Sequence, residues 1–599
     1  MKKRVLVIGA IIVGLLALRL IAPMLATSKI PEVQLVQGAD SATLVVALHG
    51  FGGKSRPGLI RLANTAFPNS HLIAPEYNGG SLAPFSNRSP YDIADVIEVA
   101  INDAYLKHHY DRIVLIGHSM GGEVLRKVYL WGTGNEVDRP VRRGAHDWVK
   151  RVERFVSLAA INRGWSTDPA PGNMPWYRKL EYDFGLVIAK LTGTGKMIMS
   201  MQRGAPFVAD SRVQWIEAAR QNSGLKLPLV IHLLGTKDDI ASIEDIKDVQ
   251  VAKDFHFKSL PNTGHADIAT ALTDEINADG PLTWRARTIL ECVTLPHEQL
   301  SFDKAEDLIE DLDVRRIVFI LHGIRDYDEW GIKLKNAIDE DLPSGTKVLL
   351  PKYGYFPMAP FLLWQDRQKK VRWFMDYYTE VRAQYPRAER FDFIGHSNGT
   401  YILSSALQNY KSFNINDVYF AGSVVPQRYP WNELVIHNRV ARVRNVVATN
   451  DWVVAYFPRF FEQIAEWTGA NGERGAFDLG AAGFRGFHES GGPSEAVKNI
   501  AFTTGEHSAG VDIGDDGKLR ALVRFGRVGL DSKQETLFKN AFKNAEKPDA
   551  FTDVVSNVSW TVWLLLAAIL IAIAAGIWRW KPYVVAPYAL LVIGILYSV

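Results

Sequence analysis

Short apolar runs alternate along the chain with longer segments in which apolar residues recur every three or four positions. Segments 92–106 and 368–381 show the longer period, which is typical of amphipathic helices. Runs 113–116 and 317–321 are wholly apolar and have the length of a strand. Strands that are apolar on both faces and alternate with helices indicate a parallel sheet covered by helices on each side. The pattern therefore predicts an α/β fold.

One series of features occurs twice between the ends of the chain. In the first half an apolar run leads into a His-Gly dipeptide at His49, and the glycine-flanked Ser119 follows 70 residues later. In the second half an apolar run leads into the same dipeptide at His322, and Ser397 follows 75 residues later. Features that agree in kind, order and spacing indicate an internal duplication.

A proline supports the same interpretation. Each half carries a Pro-x-Tyr segment after a further strand-like run, with Pro75 and Pro351 standing 26 and 29 residues after the respective histidines. The repeat is too long for a solenoid. We therefore expect one domain at 35–295 and a second at 314–545, joined by a linker at 296–313.

Each serine occupies the centre of a Gly-x-Ser-x-Gly segment, at 117–121 and at 395–399. Both segments lie between a strand-like run and a helix-compatible one. Small residues on either side let the chain form a tight, strained turn that lifts the hydroxyl clear of the sheet. A serine in such a turn is a candidate nucleophile, provided that an imidazole accepts its proton and a carboxylate fixes the tautomer of that imidazole.

Both halves resemble the α/β-hydrolase superfamily, and within it the esterase and lipase-like members. The resemblance is carried by Leu48-His49-Gly50-Phe51-Gly52 with segment 117–122, and by Leu321-His322-Gly323 with segment 395–399. It covers most of residues 40–530. It implies two tandem α/β-hydrolase domains and a serine hydrolase that forms an acyl-enzyme from a hydrophobic acyl or ester substrate, without a cofactor or a metal.

The catalytic order in that family is serine, acid, histidine. In the first half the acid after the strand-like run 227–234 is Asp238, with the adjacent Asp239 in reserve. The histidine that follows the next strand-like run is His265. The resemblance thus implies a triad of Ser119, Asp238 and His265.

The second half supplies a corresponding set. Asp451 follows the strand-like run 443–448, and His507 follows the run 500–504. His488 is a competitor, but it lies in a glycine-rich stretch without a preceding strand. The resemblance implies a triad of Ser397, Asp451 and His507.

The oxyanion that develops during acyl transfer needs two aimed hydrogen-bond donors. By resemblance these are the backbone amides of Phe51 and Met120 in the first half, and of Ile324 and Asn398 in the second. The second half lacks the glycines that follow the first His-Gly, because segment 324–326 reads Ile-Arg-Asp where segment 51–53 reads Phe-Gly-Gly. This difference leaves the oxyanion loop of the second half, and its activity, open.

The segment 165–208 lies where the family often carries a cap over the site. Its apolar residues are Trp176, Tyr177, Leu186, Val187, Ile188, Met197, Ile198 and Met199. A lid with an acyl-binding wall and an ordinary helical core both fit this composition. Segment 456–488 of the second half is a further candidate of the same kind.

The N-terminal segment 1–28 begins with three positive residues, and positions 5–26 are apolar except for Arg19. This pattern is typical of a signal peptide or a signal anchor. Met24 stands where a cleavage site requires a small residue, so an uncleaved transmembrane anchor is favoured.

Two apolar segments lie at the other end of the chain. Segment 558–578 has no charge and is long enough to cross a bilayer. Segment 583–599 is interrupted by Pro587 and is compatible with either a span or an interfacial position. Positive residues at 2–4, 579 and 581 face the cytoplasm in one consistent threading, which places the hydrolase domains on the non-cytoplasmic side.

The charge balance and the cysteine content argue against three features: a nucleic-acid partner, a disulfide and a cysteine-built zinc site. The 68 Lys and Arg residues nearly balance the 65 Asp and Glu residues, which gives no case for a nucleic-acid partner. The single cysteine, Cys292, excludes an intrachain disulfide and a cysteine-built zinc site. The expected partners are an ester substrate and the lipid bilayer. The alternative is a membrane scaffold or regulatory protein with one or both hydrolase folds inactive, since a fold does not establish an activity.

Overall fold

The computed structural model describes residues 32–78, 86–166, 172–220, 227–246, 255–274, 282–303, 310–325, 329–469, 477–488 and 495–580, with 584, 587–588 and 591–592 beyond them. The predicted N-terminal anchor lies outside the described residues, as does most of segment 583–599. The chain divides into two compact units. One contains residues up to 309 together with 378–384, and the other contains 310–377 and 385–599.

A seven-stranded sheet forms the centre of the first unit. Its strand order is β1-β3-β2-β4-β5-β6-β7, and the strands pair in parallel except for the short edge strand β1, which is antiparallel to β3. The strands are β1 (Leu35–Val36), β2 (Asp40–Leu48), β3 (Ser70–Ile73), β4 (Arg112–His118), β5 (Val152–Leu158), β6 (Leu229–Gly235) and β7 (Phe255–Leu260).

Helices connect these strands and cover the sheet. They are α1 (Arg56–Ala66), α2 (Pro90–His108), α3 (Met120–Gly132), α4 (Trp176–Thr192), α5 (Lys196–Ser200), α6 (Pro206–Arg220), α7 (Ile243–Ile246), α8 (Asp267–Asp274) and α9 (Trp284–Thr294).

The second unit is built on a six-stranded parallel sheet of order β9-β8-β10-β11-β12-β13. This order repeats that of β3-β2-β4-β5-β6-β7 in the first unit. The strands are β8 (Arg316–Leu321), β9 (Thr346–Leu349), β10 (Arg390–His396), β11 (Ile415–Ala421), β12 (Val440–Ala448) and β13 (Val497–Thr503).

The helices of the second half of the chain follow the same alternation and then run on past the last strand. They are α10 (Glu329–Asp339), α11 (Met358–Leu362), α12 (Trp364–Gln384), α13 (Asn398–Asn409), α14 (Trp431–Ile436), α15 (Trp452–Thr468), α16 (Ala482–Arg485), α17 (Asp516–Val528), α18 (Ser532–Phe542), α19 (Ala550–Asn557) and α20 (Ser559–Trp580).

The strands beside the serines are buried on both faces. Residues 113–116 of β4 and 317–321 of β8 are all fully buried. Helices cover both faces of each sheet, and for this reason these strands are apolar throughout rather than alternating. The prediction of an α/β fold with parallel sheets is confirmed, and the two predicted amphipathic helices lie within α2 and α12.

The register sets the position of the functional loops. Leu48 at the end of β2 pairs with Gly117 in β4, and Leu321 at the end of β8 pairs with Gly395 in β10. The His-Gly dipeptides therefore lie directly beside the serine turns. Both features are at the carboxyl ends of parallel strands, which is where open α/β sheets place their ligand sites.

Helix α20 contains the predicted segment 558–578 almost entirely. Among the described residues it is the one helix that is long and apolar enough to cross a membrane, with a mean hydropathy of 2.4 over its most apolar stretch, none of which is buried. This helix makes the second unit a candidate for membrane association.

Candidate active site

Each candidate serine lies in the turn between a buried strand and a buried helix. Ser119, between β4 and α3, has φ 53° and ψ −127°, and Ser397, between β10 and α13, has φ 53° and ψ −120°. Such a conformation costs on the order of 1–3 kcal/mol in a residue with a Cβ, and it persists only where the surroundings enforce it. Strain of this kind concentrates at functional sites.

A backbone hydrogen bond and a close approach hold both turns. The N–H of Ser119 donates to the carbonyl of Leu158 at the end of β5 (2.9 Å), and the N–H of Ser397 donates to Ala421 at the end of β11 (3.1 Å). In each motif a Cβ on the second glycine would lie 2.4 Å from the last carbonyl oxygen of the neighbouring strand. Helix and strand thus approach too closely for any side chain at that position, which accounts for the glycine.

Asp238 and His265 meet after the carboxyl ends of β6 and β7. Nδ1 of His265 lies 2.7 Å from Oδ2 of Asp238, and both side chains are buried. The other carboxylate oxygen accepts from the N–H groups of Ile240 (2.9 Å) and Ala241 (2.8 Å). The contact selects Asp238, rather than its neighbour Asp239, as the partner of His265.

Electrostatics keep this carboxylate ionised. Burial raises the pKa of Asp238, but the charge and hydrogen bond of His265 and the two backbone N–H groups outweigh burial, so that the pKa is lowered. An ionised carboxylate accepts from the protonated Nδ1 of the ring, which leaves Nε2 of a neutral His265 as an acceptor.

The second unit holds the corresponding pair. Nδ1 of His507 lies 3.0 Å from each carboxylate oxygen of Asp451. Asp451 is fully buried and also caps α15, accepting from the N–H of Val454 (3.0 Å). The ring of the competitor His488 instead contacts Oε1 of Gln427 (3.1 Å). Geometry thus joins His507 to the acid.

The sequence motif gave no role to the histidine that precedes each serine. Nε2 of His118 lies 2.9 Å from the backbone carbonyl oxygen of His265, and Nε2 of His396 lies 3.3 Å from that of His507. The rings in each pair also pack with centroids 5.0 and 4.9 Å apart. Burial, with the nearby charge of His265, lowers the pKa of His118 to about 3, so this ring is neutral. In each unit the histidine that binds the acid is therefore tied to the residue adjoining the serine.

The predicted oxyanion donors of each unit lie at the start of the helix that follows the serine and in the loop that follows the His-Gly dipeptide. Met120 and Asn398 are the first residues of α3 and α13. N–H groups in the first turn of a helix have no acceptor within that helix, and they lie at the positive end of its dipole. Phe51 and Ile324 follow the His-Gly dipeptides, which the register places beside the same turns.

The second unit keeps the turn of the oxyanion loop despite its missing glycine. Gly52 stands two residues after Gly50 and has φ 79°. Arg325 stands two residues after Gly323, at the equivalent position, and has φ 52°. The N–H of Gly52 donates to Asn78 (3.0 Å), and that of Arg325 donates to Phe356 (3.1 Å). A left-handed arginine costs about 1–2 kcal/mol where glycine costs little. The arginine therefore strains this turn without removing it.

The repeated Pro-x-Tyr segment also acts at this loop. Tyr77 stacks on His49 with ring centroids 4.3 Å apart, and Tyr353 stacks on His322 at 4.2 Å. Each tyrosine hydroxyl donates to the backbone carbonyl of its histidine, and that of Tyr353 also reaches the carbonyl of Gly323 (2.6 Å). The repeat of the tyrosine in the sequence was the signal for this contact.

The histidine of each dipeptide orients the following peptide. Nδ1 of His49 and Nδ1 of His322 lie 2.6 and 2.8 Å from the carbonyl oxygen of the next glycine. That carbonyl and the N–H of the following residue belong to one planar unit and point in opposite directions. Fixing the carbonyl therefore aims the N–H of Phe51, or of Ile324, away from the histidine ring.

A cleft of ≈ 890 Å³ lies over the second site, and both Ser397 and His507 line it. This volume falls in the range of small-molecule sites. No cluster of three or more His, Cys, Asp or Glu side chains suited to a metal occurs within the described ranges. The apolar residues of the cleft wall include Ile324, Trp330, Met358, Trp452, Val453 and Phe457.

The predicted cap of the first unit is partly core and partly exposed. Leu186 and Met197 are buried, whereas Trp176, Leu180 and Phe184 of α4 are exposed to 75%, 59% and 66%. The spacing of the exposed residues places them along one stripe of the helix. The segment therefore contains core residues as well as an exposed apolar stripe, and its role as a lid stays a prediction.

Residues 33–275 match the alpha/beta hydrolase family. The matched region contains Ser119, Asp238 and His265, and it supports a hydrolase. No curated protein matches this chain.

The chain is also similar to solved esterases. An esterase from Exiguobacterium antarcticum is 15% identical, with 40% of this chain and 89% of the esterase covered at a TM-score of 0.25. A lipase-esterase related protein from Clostridium acetobutylicum is 16% identical, with 41% and 96% covered at 0.25. An esterase from a Rhodococcus species is 14% identical, with 40% and 90% covered at 0.25.

Proposed function

We propose that this protein is a membrane-anchored serine hydrolase that cleaves ester or related acyl bonds at two sites, with Ser119 and Ser397 as the nucleophiles. The observation that carries the proposal is the histidine–carboxylate contact beside each serine turn, which is buried and 2.7 Å long in the first unit and partly buried and 3.0 Å long in the second. An imidazole held in this way is the general base that a serine nucleophile requires.

The proposed chemistry of the first unit gives each of these groups one task. Nε2 of His265 takes the hydroxyl proton of Ser119 as Oγ attacks the acyl carbon, and Asp238 stabilises the imidazolium. The carbonyl oxygen gains negative charge and accepts from the N–H groups of Met120 and Phe51, each worth about 2.7–4 kcal/mol of barrier. The imidazolium then protonates the leaving alkoxide, and the alcohol departs.

Water completes the cycle. His265 takes a proton from the water as its oxygen attacks the acyl-enzyme, and returns that proton to Oγ of Ser119 as the acid is released. In the second unit Ser397, Asp451 and His507 carry out the same steps.

The substrate is hydrophobic and the protein is held at a membrane. The exposed apolar stripe of α4 in the first unit and the apolar wall of the cleft in the second unit both favour an acyl chain. Helix α20 supplies the anchor, and the positive residues at 2–4 and at 579 favour hydrolase units on the non-cytoplasmic side. The shared strand order supports an origin by duplication.

Kinetics of single and double serine variants test the proposal. Ser119→Ala and Ser397→Ala are each assayed against esters of graded acyl length, with Ser211→Ala as the control. The hydroxyl of Ser211 is buried on α6 and donates within its own helix, to the carbonyl of Phe207. Each single variant should keep the activity of the other unit, and the double variant should keep none. A double variant as active as the control contradicts the nucleophile assignment, and an inactive wild type favours a scaffold.

A further inference from the structure

Helix α15 turns its large apolar side chains away from the body of the second unit. Its buried residues are small or polar: Val454, Ala455, Pro458, Glu462, Gln463 and Ala465. A helix on a water-soluble domain instead turns its large apolar side chains inward. The outward residues recur with helical spacing, and all are half-buried or exposed: Val453, Phe457, Phe460, Phe461, Ile464 and Trp467.

Helix α19 repeats this arrangement. Thr552 and Ser556 are buried, whereas Phe551, Val554 and Val558 are exposed to 71%, 63% and 41%. The exposed residues stand at positions i, i+3 and i+7, which lie on one face of a helix. Two neighbouring helices with small or polar residues inward and large apolar residues outward form a surface suited to an apolar medium.

The two helices are joined to each other and to α20. Nε2 of Gln463 on α15 donates to the carbonyl of Asn557 at the end of α19 (2.9 Å), and its Oε1 accepts from Ser559 at the start of α20 (2.6 Å). The ring of Trp563 on α20 packs against Phe457 at 5.1 Å and against Phe460 at 5.3 Å. The outward face of α15 is thus continuous with the helix that is long enough to cross a bilayer.

The same surface borders the cleft. Asp451, which binds His507, is the N-cap of α15, and the next residues, Trp452 and Val453, line the cleft together with Phe457. Phe457 therefore contacts the cleft on one side and the ring of Trp563 on the other. An acyl chain that leaves the bilayer beside α20 would meet the wall of the cleft at residues less than one helical turn from Asp451.

We propose that α15 and α19 lie in the bilayer interface and that the cleft of the second unit takes its substrate, the ester of a membrane lipid, directly from the membrane. The proposal rests on the hydrolase function assigned above. Amphipathic helices bury their apolar face at the boundary between headgroups and acyl chains. The acyl chain then reaches Ser397 along the apolar wall formed by α15 without crossing water.

A positional probe tests the surface independently of activity. Phe551→Cys and Ile436→Cys are labelled with an environment-sensitive fluorophore in the full-length protein, reconstituted in phosphatidylcholine vesicles that contain nitroxide-labelled lipid. Position 436 is the control for position 551, because the two side chains are exposed to nearly the same degree, 73% and 71%. Burial raises the pKa of the native thiol of Cys292 to about 11, so that it reacts poorly and labelling is selective. Lipid should quench the probe at 551 strongly and that at 436 little. Equal quenching, or none at 551, overturns the proposal.

A second experiment tests the route of the substrate. In the Ser119→Ala background, Phe551→Gln with Val554→Gln is compared with Ile436→Gln on two substrates that share a leaving group, soluble methylumbelliferyl acetate and methylumbelliferyl oleate in the vesicles. The paired variant should lose oleate hydrolysis by at least about ten-fold, which is the loss expected from one large apolar side chain alone, and should keep acetate hydrolysis. Equal oleate rates in the two variants overturn the lipid route. Loss of acetate hydrolysis in the Ser119→Ala parent would instead count against Ser397 as a nucleophile.

Discussion

A methyl group added at Gly50 tests how tightly the His-Gly loop packs on the serine turn. A Cβ there would lie 2.8 Å from Cβ of Ser119 and 2.8 Å from Nδ1 of His118, where ordinary contacts begin at 3.4 Å. The serine or the loop must therefore shift by about 0.6 Å, the difference between these two distances. A misplacement of 1 Å at a reacting atom can cost about 100-fold, so Gly50→Ala should lower kcat/KM of the first unit by about 10- to 100-fold. This loss corresponds to roughly 1.4–2.7 kcal/mol of barrier.

The assay isolates one unit at a time. Gly50→Ala is measured in the Ser397→Ala background with a soluble ester, and its thermal unfolding midpoint is recorded. Gly323→Ala, whose Cβ would lie 2.7 Å from that of Ser397, is the counterpart in the Ser119→Ala background. Gly185→Ala is the control, because it lies inside α4 and, beyond its own helix backbone, no atom of the described residues is within 4 Å of the added Cβ. A folded Gly50→Ala protein with the rate of the control would refute the packing argument.

Three other expectations concern single contacts. Tyr353→Phe removes the hydroxyl that holds two carbonyls of the oxyanion loop, so kcat of the second unit should fall several-fold, for a hydrogen bond worth about 0.5–1.5 kcal/mol, while KM changes little; an unchanged kcat would argue against a role for the loop. Arg325→Gly relieves a left-handed arginine and should raise the thermal unfolding midpoint. Gly52→Ala should lower the midpoint, through a loss of about 1 kcal/mol in the free energy of unfolding. A lower midpoint for Arg325→Gly, or a higher one for Gly52→Ala, in calorimetry would contradict the strain assignment. Because the pKa of Asp238 is lowered, its ionisation stabilises the folded protein at pH values above the unfolded carboxyl pKa of about 3.9. This stabilisation is lost as the pH falls through the lowered pKa. The difference in unfolding midpoint between wild type and Asp238→Asn should therefore shrink on acidification. A gap independent of pH would be inconsistent with an ionised partner for His265.

Much of the fold could be predicted from the sequence because its determinants are local. The central strands are buried on both faces, so they appear as continuous apolar runs, and the serine turns require glycines at fixed positions. Asp238 and Asp451 follow strand ends, which places them at the correct edge of a parallel sheet. These features do not depend on which distant residues come together.

Other parts of the site depend on contacts between distant segments. Asp238 and Asp239 follow the same strand, and only the position of His265 distinguishes them. His118 appears as a variable position in the motif, although its ring bonds the backbone of a residue 147 positions away. The same limit applies to α15, since helical periodicity reveals an apolar face but does not tell whether that face points into the protein or out of it.

Covalent labelling measures the central claim most directly. Intact-mass spectrometry of the full-length protein after treatment with a fluorophosphonate counts the activated serines, because the reagent remains on the hydroxyl that attacks it. Wild type should gain two adducts, Ser119→Ala and Ser397→Ala one each, and the double variant none. An unlabelled wild type, or a double variant that still gains an adduct, would contradict the claim that these two hydroxyls are the nucleophiles.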